Sequence, residues 1–403
     1  MRRKTIAIVG GGPAGAAAAE RLCNGGRLRD TGRDGHHVLV FEERIGWEKP
    51  CGGGLTPKAL RRYPFLAEAA SGGNQVYDAE FLASTGTALR IHLRSPLAIY
   101  SRATLNQLLL RRAEDAGAEV VADRIVGLER QRGAWELTGR KQAYHADFVV
   151  LAAGARTRLR RTLAEDFLPR DLMLTFGYYL PGPLGPLRMQ FYEKLEGYAW
   201  AFPRPDHVSV GICGKVGQKS MADLQALLTV FMQQFGYTPD RQANFSHLLP
   251  SLSAEGWGSL RLAGPGWALA GDAAGLVDPV TGEGIYYAMR SGEMLGQALL
   301  EGSPELYPER VRDEFGRALA LGARLAKRFY CGEFLGGSVT TRMIEFGARS
   351  RRILGVLQDL IEGSQSYLGL MGLLYVEMAR ILLGTSLGRL RKVFELRVDD
   401  SHY

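Results

Sequence analysis

The sequence predicts an α/β protein: a Rossmann-like nucleotide domain, an antiparallel β-sheet domain inserted into it, and a helical C-terminal region. Three observations predict this. An apolar run, Thr5–Val9, passes straight into Gly10-Gly11-Gly12-Pro13-Ala14-Gly15 and a small-residue helix. Far along the chain a second apolar run, Trp267–Ala270, passes into Gly271-Asp272-Ala273-Ala274-Gly275, a loop with Pro279 and Gly282, and a helix from near Gly284. Between them, residues 172–214 change to alternating, aromatic-rich segments that read as an antiparallel sheet.

Thr5–Val9 is a buried strand in this reading, and Gly10, Gly12 and Gly15 fit the dinucleotide fingerprint. One glycine allows the tight turn, one the close approach of a pyrophosphate, and one the packing of helix on strand. Ala14 lies inside the same turn, and the helix follows over Ala16–Leu22. A second strand, His37–Phe41, ends at Glu42, which is placed to accept from ribose hydroxyls. The spacing of 27 positions from Gly15 to Glu42 is long, and a polar insertion over Gly25–Gly35 accounts for the excess.

Lys49-Pro50-Cys51-Gly52-Gly53-Gly54 comes next. Three consecutive glycines cost conformational entropy, so they make sense where backbone must lie flat against a planar ligand. A plain glycine loop is the alternative. Cys51 would then sit beside the ligand's ring, packing there or taking part in its chemistry.

Val76–Ala83 and Ala88–Leu93 read as extended, and Ser101–Gly117 as a helix with Leu105, Leu108, Leu109 and Ala113 on one face. Arg102 opens that helix, where a cation is unfavourable to the dipole. Binding a phosphate or ribityl oxygen would explain it; a surface arginine is the alternative. Strands follow at Glu119–Val121 and Ile125–Arg130, then a hairpin, then Ala146–Ala152 as a third parallel strand. Leu174–Leu180, Leu187–Tyr192, Tyr198–Phe202 and Val208–Cys213 form the antiparallel sheet, suited to walling a substrate cavity. Tyr198, Trp200 and Phe202 share one face of their strand, as ordinary core or as an aromatic wall over a substrate. A helix spans Met221–Phe235, and beyond Gly284 the chain reads as almost entirely helical. Leu368, Met371, Leu374, Tyr375, Met378, Ile381 and Leu382 recur at helical spacing, as a packing face, a tunnel lining or a bilayer contact.

These elements divide the chain into a discontinuous nucleotide domain (1–75, 101–165 and 260–304), a substrate domain (76–100 and 166–259) and a helical region (305–403). Two dinucleotide-type loops so far apart suggest one long cofactor gripped at both ends, and FAD has that length. Its adenosine would lie at Gly10–Gly15 and its isoalloxazine near Asp272, with the helix start at Gly284 holding the charge of the reduced ring. No second G-x-G-x-x-G follows a strand, so NAD(P)H as electron donor would dock transiently, and a small redox protein is the other candidate.

At 403 residues the chain can bury two or three domains' worth of core. Its net charge of +8 comes without an aromatic-interleaved basic stripe, which argues against nucleic acid and for anionic lipid surfaces or phosphorylated substrates. The four cysteines have no C-x-x-C spacing, which argues against a structural metal site or a disulfide framework. No signal peptide is expected before the first strand, and the longest apolar stretch, Tyr367–Gly384, is broken by Glu377 and Arg380. A cytoplasmic protein is expected, with peripheral contact at the inner face of a membrane as an elaboration.

With these residues assembled, the chain resembles the geranylgeranyl reductase family of FAD enzymes, within the hydroxylase-like flavoprotein superfamily. The resemblance covers essentially residues 5–300. It rests on G-G-G-P-A-G at 10–15, Glu42, K-P-C-G-G-G at 49–54, Arg102, Y-A-W-A-F-P at 198–203, G-D-A-A-G at 271–275 and G-E-G-I-Y-Y-A at 282–288. The K-P-C-G-G-G run and the Y-x-W-x-F-P strand are the specific elements. The resemblance implies that Gly15, Glu42, Cys51, Arg102, Ile125, Asp272, Gly284 and Ile285 touch FAD. Gly10, Gly12, Ala14, Gly52, Gly53 and Gly282 complete the candidate cofactor set from the motifs.

Members of that family saturate isolated prenyl double bonds in geranylgeranyl diphosphate, chlorophyll side chains, archaeal ether lipids or menaquinone tails. The implied reaction is hydride delivery from reduced flavin N5 to a C=C bond of a polyprenyl or lipid substrate. Cys51, near the reactive face, and Tyr198 and Trp200, near the substrate, are the candidate catalytic residues. Tyr198, Cys51 and a flavin-bound water are the candidate proton donors. One rival is a flavin monooxygenase or halogenase, whose W-x-W-x-I-P element the aromatic strand resembles. A halogenase needs a relay lysine, and the sequence offers no clear counterpart. The other rival is a flavin electron carrier to a membrane quinone or redox protein.

Overall fold

The computed structural model describes residues 3–28, 35–68, 72–181, 185–240, 243–334, 336–365 and 367–370, with 372, 376, 377 and 380. Residues 29–34 of the polar insertion, and Met371, Leu374, Tyr375, Met378, Ile381 and Leu382 of the C-terminal stripe, lie outside the described residues.

A six-stranded sheet has the order Ala263–Gly264, Trp267–Leu269, Phe148–Leu151, Thr5–Val9, His37–Phe41, Glu119–Val121. All neighbours pair in parallel except the first two. Val9 stands in register with both Phe41 and Leu151. The residues that follow these strands, Gly10, Glu42 and Ala152, therefore emerge at one edge, and Gly271 and Asp272 emerge there after Leu269. Ligands bind at this carboxyl edge of an open α/β sheet.

The strand expected over Ala146–Ala152 is two strands. Ala143–Ala146 joins a three-stranded antiparallel sheet with Ile125–Gln131 and Ala134–Gly139, and Phe148–Leu151 enters the parallel sheet. Asp147 makes the break, its carboxylate accepting from the Thr5 amide at 2.8 Å.

The helices Pro13–Leu28 and Ile285–Glu301 pack against each other beside the parallel sheet. Gly292 permits this: a Cβ there would lie 2.0 Å from the Ala14 carbonyl oxygen. The start of the second helix is thereby held close to the start of the first.

An eight-stranded sheet has the order Asn244–Pro250, Leu172–Leu180, Val208–Lys215, Tyr198–Pro203, Leu187–Phe191, Asn74–Leu82, Ala88–Ile99, Gly54–Leu55. It is antiparallel except at its middle, where Leu187–Phe191 runs parallel to Asn74–Leu82. That pairing departs from the purely antiparallel sheet read in the sequence, because it joins two hairpin systems rather than neighbours along the chain. Gly54–Leu55 also joins this sheet, from within the segment assigned above to the nucleotide domain.

Beyond the flavin-type loop the helices Arg317–Cys331, Val339–Gly347 and Arg351–Ile361 bury Tyr330, Met343, Ile344, Phe346, Ile353 and Leu357 against Phe81, Leu89, Ile91 and Leu93 of the large sheet. A two-stranded hairpin, Glu333–Phe334 with Gly337–Ser338, interrupts this otherwise helical stretch. No described helix is long and apolar enough to cross a membrane.

Candidate functional site

One cavity of about 1330 Å³ is lined jointly by the carboxyl edge of the parallel sheet, the glycine-rich loop and the large sheet. Gly10, Gly12, Ala14, Glu42, Cys51, Gly52, Gly53, Arg102, Ile125, Tyr198, Trp200, Asp272, Gly282, Gly284 and Ile285 all line it. Gly15 does not. A Cβ at Gly15 would lie 1.9 Å from the Gly10 carbonyl oxygen, so this glycine lets the helix close on the turn rather than face a ligand.

At the first loop Gly10 has φ +107°, a conformation that favours glycine, and its amide donates to the Phe41 carbonyl at 2.9 Å. Nothing lies within 4 Å of where a Gly12 Cβ would be, which leaves an open cradle over the helix start. Glu42 uses one carboxylate oxygen for the Gly11 amide (3.1 Å) and the other for the Arg44 amide (2.9 Å). A carboxylate has about four acceptor sites, so capacity for ribose hydroxyls is left.

The glycine-rich loop is clamped from below. The Cys51 carbonyl accepts from Arg204 (2.7 Å) and from Ser209 Oγ (3.0 Å), and the fully buried Arg204 also donates to Glu48 (2.8 Å). Gly53 has φ +86°, and a Cβ there would lie 2.0 Å from the Tyr100 carbonyl oxygen. Cys51 Sγ accepts from the Gly53 amide at 3.3 Å. The loop is thus held flat over Tyr100 and Phe202.

Glu48 resolves the puzzle of Arg102. Its carboxylate accepts from the Arg102 amide (2.8 Å), the Ala103 amide (2.9 Å) and Ser101 Oγ (2.5 Å), which places a negative charge at that helix's N-terminus. Burial alone would raise the Glu48 carboxyl, but Arg204 and these donors hold it below its ordinary value. The helix therefore tolerates a cation in its first turn. Arg102 is buried, donates once to Asn106 (3.2 Å), and keeps an Nε–H with no protein partner.

At the second loop Asp272 pairs with Lys49 at 2.7 Å. Burial would push its carboxyl up, but the Lys49 ammonium holds it below the ordinary range. The helix Ile285–Glu301 begins at Gly284 with no side-chain cap, so its first amides face the cavity unpaired by any cap. His247, on the edge strand, is a further cavity residue with an unpartnered buried Nε2. Burial, followed by the Lys49 charge, pushes its imidazole down to about 3, so it is neutral at pH 7.

The residues named as catalytic candidates meet in the same cavity. Tyr198 donates its hydroxyl hydrogen to the Thr281 carbonyl at 2.7 Å, and burial pushes that hydroxyl well above its ordinary range. A hydroxyl so engaged is a poor proton donor. Trp200 lies over Gly211, with Nε1 donating to Ser209 Oγ at 3.3 Å. Both residues line the cavity.

Glu283 stands inside the G-E-G-I-Y-Y-A motif at 282–288, but the sequence reading gives it no role. It lines the cavity, accepts from Thr56 Oγ1 at 2.6 Å, and is pushed by burial up to about 7. Lys58 faces it with its ammonium over the rings of Tyr286 (4.2 Å) and Tyr287 (4.8 Å). Past this point the lining turns apolar, with Phe81, Leu187, Met189, Phe191, Phe329 and Leu357 contributed by the large sheet and the C-terminal helices.

An elongated dinucleotide fits these residues. Backbone is open at Gly12, acceptor sites remain on Glu42, Arg102 has an unused donor, and a helix start is uncapped at Gly284. Known proteins agree. A model of the family described as FAD dependent oxidoreductase matches residues 57–293, more than half the chain. The chloroplastic geranylgeranyl diphosphate reductase of Arabidopsis thaliana is 27% identical over 333 residues, covering 75% of this chain and 67% of that protein. The menaquinone reductase of Mycolicibacterium smegmatis is 26% identical over 392 residues, covering 88% and 92%. Among solved structures, a geranylgeranyl bacteriochlorophyll reductase-like protein from Thermoplasma acidophilum has a TM-score of 0.71 at 20% identity, covering 89% of this chain and 99% of that one. A flavin-dependent brominase has a TM-score of 0.71 at 17% identity, covering 90% and 94%. At such identities the two structures bear on the fold alone.

Proposed function

Because the chain belongs to the FAD-dependent oxidoreductase family, we propose that it is a reductase that saturates isolated C=C bonds of a polyprenyl chain. It is an FAD enzyme of the superfamily that holds the geranylgeranyl reductases, halogenases and monooxygenases. The observation that carries the finer reading is the continuity of the cavity: a glycine-lined, polar half passes directly into an apolar, aromatic half.

Reduced FAD, when bound, supplies the hydride. The chain's own residues do the rest. Glu42, the Gly10–Gly12 backbone, Arg102 and the helix start at Gly284 hold the dinucleotide, and the clamped loop at Cys51–Gly53 fixes a flat surface for its ring. An isolated alkene has no carbonyl to polarise, so the site must tolerate cationic character at carbon. The faces of Tyr198 and Trp200 serve that need by their quadrupoles. The apolar wall from Phe81 to Leu357 excludes water and positions the chain, the larger share of catalysis in such a site.

The electron donor in this reading is NAD(P)H or a small redox protein meeting the cavity at its mouth. A prenyl lipid would be drawn from a membrane surface, and the exposed Leu368 and Val376 suit contact there.

One observation favours the monooxygenase or halogenase reading: Lys49 lies in the cavity, where sequence offered no relay lysine. Its ammonium is engaged by Asp272 at 2.7 Å, which leaves it a weaker candidate for a relay. A single experiment separates the readings. Dithionite-reduced protein is incubated without oxygen with geranylgeranyl diphosphate, a geranylgeranylated lipid and a menaquinone, and products are weighed by mass spectrometry. Gain of two hydrogens per reduced bond on any of them supports the reductase. No gain on any, with oxygen- or halide-dependent product in air, supports the rival.

A further inference from the structure

We propose that Glu283 is the acid that protonates the alkene, an inference that rests on the reductase reading above. The geometry assigns the proton to one oxygen. Thr56 Oγ1 accepts from the Ala59 amide (3.3 Å) as the N-cap of the helix Pro57–Arg62 and donates its own hydrogen to Glu283 Oε1 at 2.6 Å. Oε1 is therefore an acceptor, and an acidic hydrogen on this carboxyl sits on Oε2. Oε2 has no hydrogen-bond partner among the described residues.

The surroundings of Oε2 place it where the two halves of the cavity meet. A Cβ at Gly363 would lie 3.1 Å from Oε2, so this oxygen abuts the turn just after Leu360 and Ile361, which line the apolar half. Glu283 itself lies between Gly282 and Gly284, at the uncapped helix start of the cofactor half.

Other acids of the cavity are less suited. Asp272 is paired with Lys49 and Glu43 with Arg124 and Arg140, while Glu42 accepts from the Gly11 amide at the dinucleotide loop and Asp123 from the Arg124 amide. Asp278 has an oxygen taken by the Val280 amide (2.8 Å), the Thr281 amide (3.0 Å) and the Tyr367 hydroxyl (2.7 Å), and it does not line the cavity. The charged groups facing Glu283 are Lys58, which opposes a proton on it, and Asp278, which favours one; burial, acting with Asp278, outweighs Lys58 and the Thr56 hydrogen bond and keeps the carboxyl protonated towards neutrality.

In the balanced step, one alkene carbon receives a hydride from reduced flavin, and the π bond breaks. The other carbon forms a C–H bond with the proton leaving Oε2. The alkene gains two electrons, the flavin loses two, and Glu283 is left a carboxylate that regains its proton from water.

The test uses the FAD-loaded full chain, with Glu283→Gln and Glu283→Asp beside it. Infrared spectroscopy of the oxidised, substrate-free proteins should show a protonated-carboxyl band that titrates near neutrality in wild type and is missing in Glu283→Gln. FAD absorbance checks that each variant is loaded. In anaerobic single turnovers with geranylgeranyl diphosphate, Glu283→Gln should lose about 100-fold or more in rate. Glu283→Asp should recover part of it with a shifted pH profile. A band that persists in Glu283→Gln, or a loaded Glu283→Gln that reduces the alkene within about threefold of wild type, overturns the assignment. Wild type that adds no hydrogen to any polyprenyl substrate overturns the reductase reading itself, an outcome seen in wild type and not in the variants.

Discussion

Lys49 Nζ lies 2.7 Å from Asp272 Oδ2, tying the glycine-rich loop to the cofactor loop 223 residues further along the chain. Lys49→Met leaves the carboxylate partly buried without its partner. The expected cost is about 1–3 kcal/mol in urea unfolding, most of it restored by adding Asp272→Asn. Because the folded-state carboxyl is held below its ordinary value, the pair's contribution is complete above that value and is lost as pH falls through the folded one. Unfolding curves of wild type and Lys49→Met should therefore converge in acid.

Gly12 and Gly15 should separate binding from folding. Gly12→Val meets open space in the fold and obstructs only the cradle, so thermal stability of the apoprotein should hold while FAD affinity falls at least about tenfold. Gly15→Val meets the Gly10 carbonyl at the backbone, so it should lower expression or melting temperature first. Fluorescence titration with FAD and apoprotein melting are the two readouts.

Cys51→Ser should keep FAD, because the Cys51 carbonyl still anchors the loop to Arg204 and Ser209 and a serine oxygen can accept from the Gly53 amide in place of the thiol. Turnover or the product distribution with a prenyl substrate should change. Unaltered steady-state kinetics would reduce Cys51 to a packing residue.

Arg204→Met removes the clamp under that loop and strands Glu48 with a single helix terminus to serve. A destabilisation of about 2–4 kcal/mol is expected. FAD affinity should fall with it, as read by chemical unfolding and cofactor titration on one preparation.

Glu283 carries a stability signature as well as a chemical one. Burial raises its folded-state value from an ordinary 4.5 to about 7 against the opposing pull of Thr56 and Lys58. The folded protein thus binds this proton more tightly than the unfolded chain, and the stability it contributes is lost as pH rises through about 7. Glu283→Gln should be relatively more stable than wild type at alkaline pH, and the gap should close in acid. Melting temperatures across that range decide it.

How much of this was legible in the sequence follows from how far each signal travels along the chain. Gly10, Gly12 and the strand before them are a local pattern, so their joint reading located one end of the cavity. Asp272 was legible for the same reason, while its partner Lys49 was not, since nothing within 200 positions of Asp272 points to it. Arg102 looked anomalous at a helix start only because Glu48, which neutralises that terminus, is 54 residues away. Glu283 sits inside a recognised loop, yet its raised value is made by burial in the folded chain, and the partner that orients its carboxyl, Thr56, lies 227 residues earlier. Periodicity proposed a sheet over 172–214 but carried no information on the parallel seam at its centre.

That seam has a consequence during synthesis. Arg188 and Glu80, ion-paired across it at 2.9 Å, are 108 residues apart. As the ribosome delivers roughly 5–20 residues per second, the Asn74–Leu82 strand waits on the order of ten seconds for its neighbour. Throughout that interval it presents a bare hydrogen-bonding edge with Phe81 and Leu82 beside it, the kind of edge that pairs with other chains. The wall of the cavity is thus also a stretch of the nascent protein that a chaperone would shield.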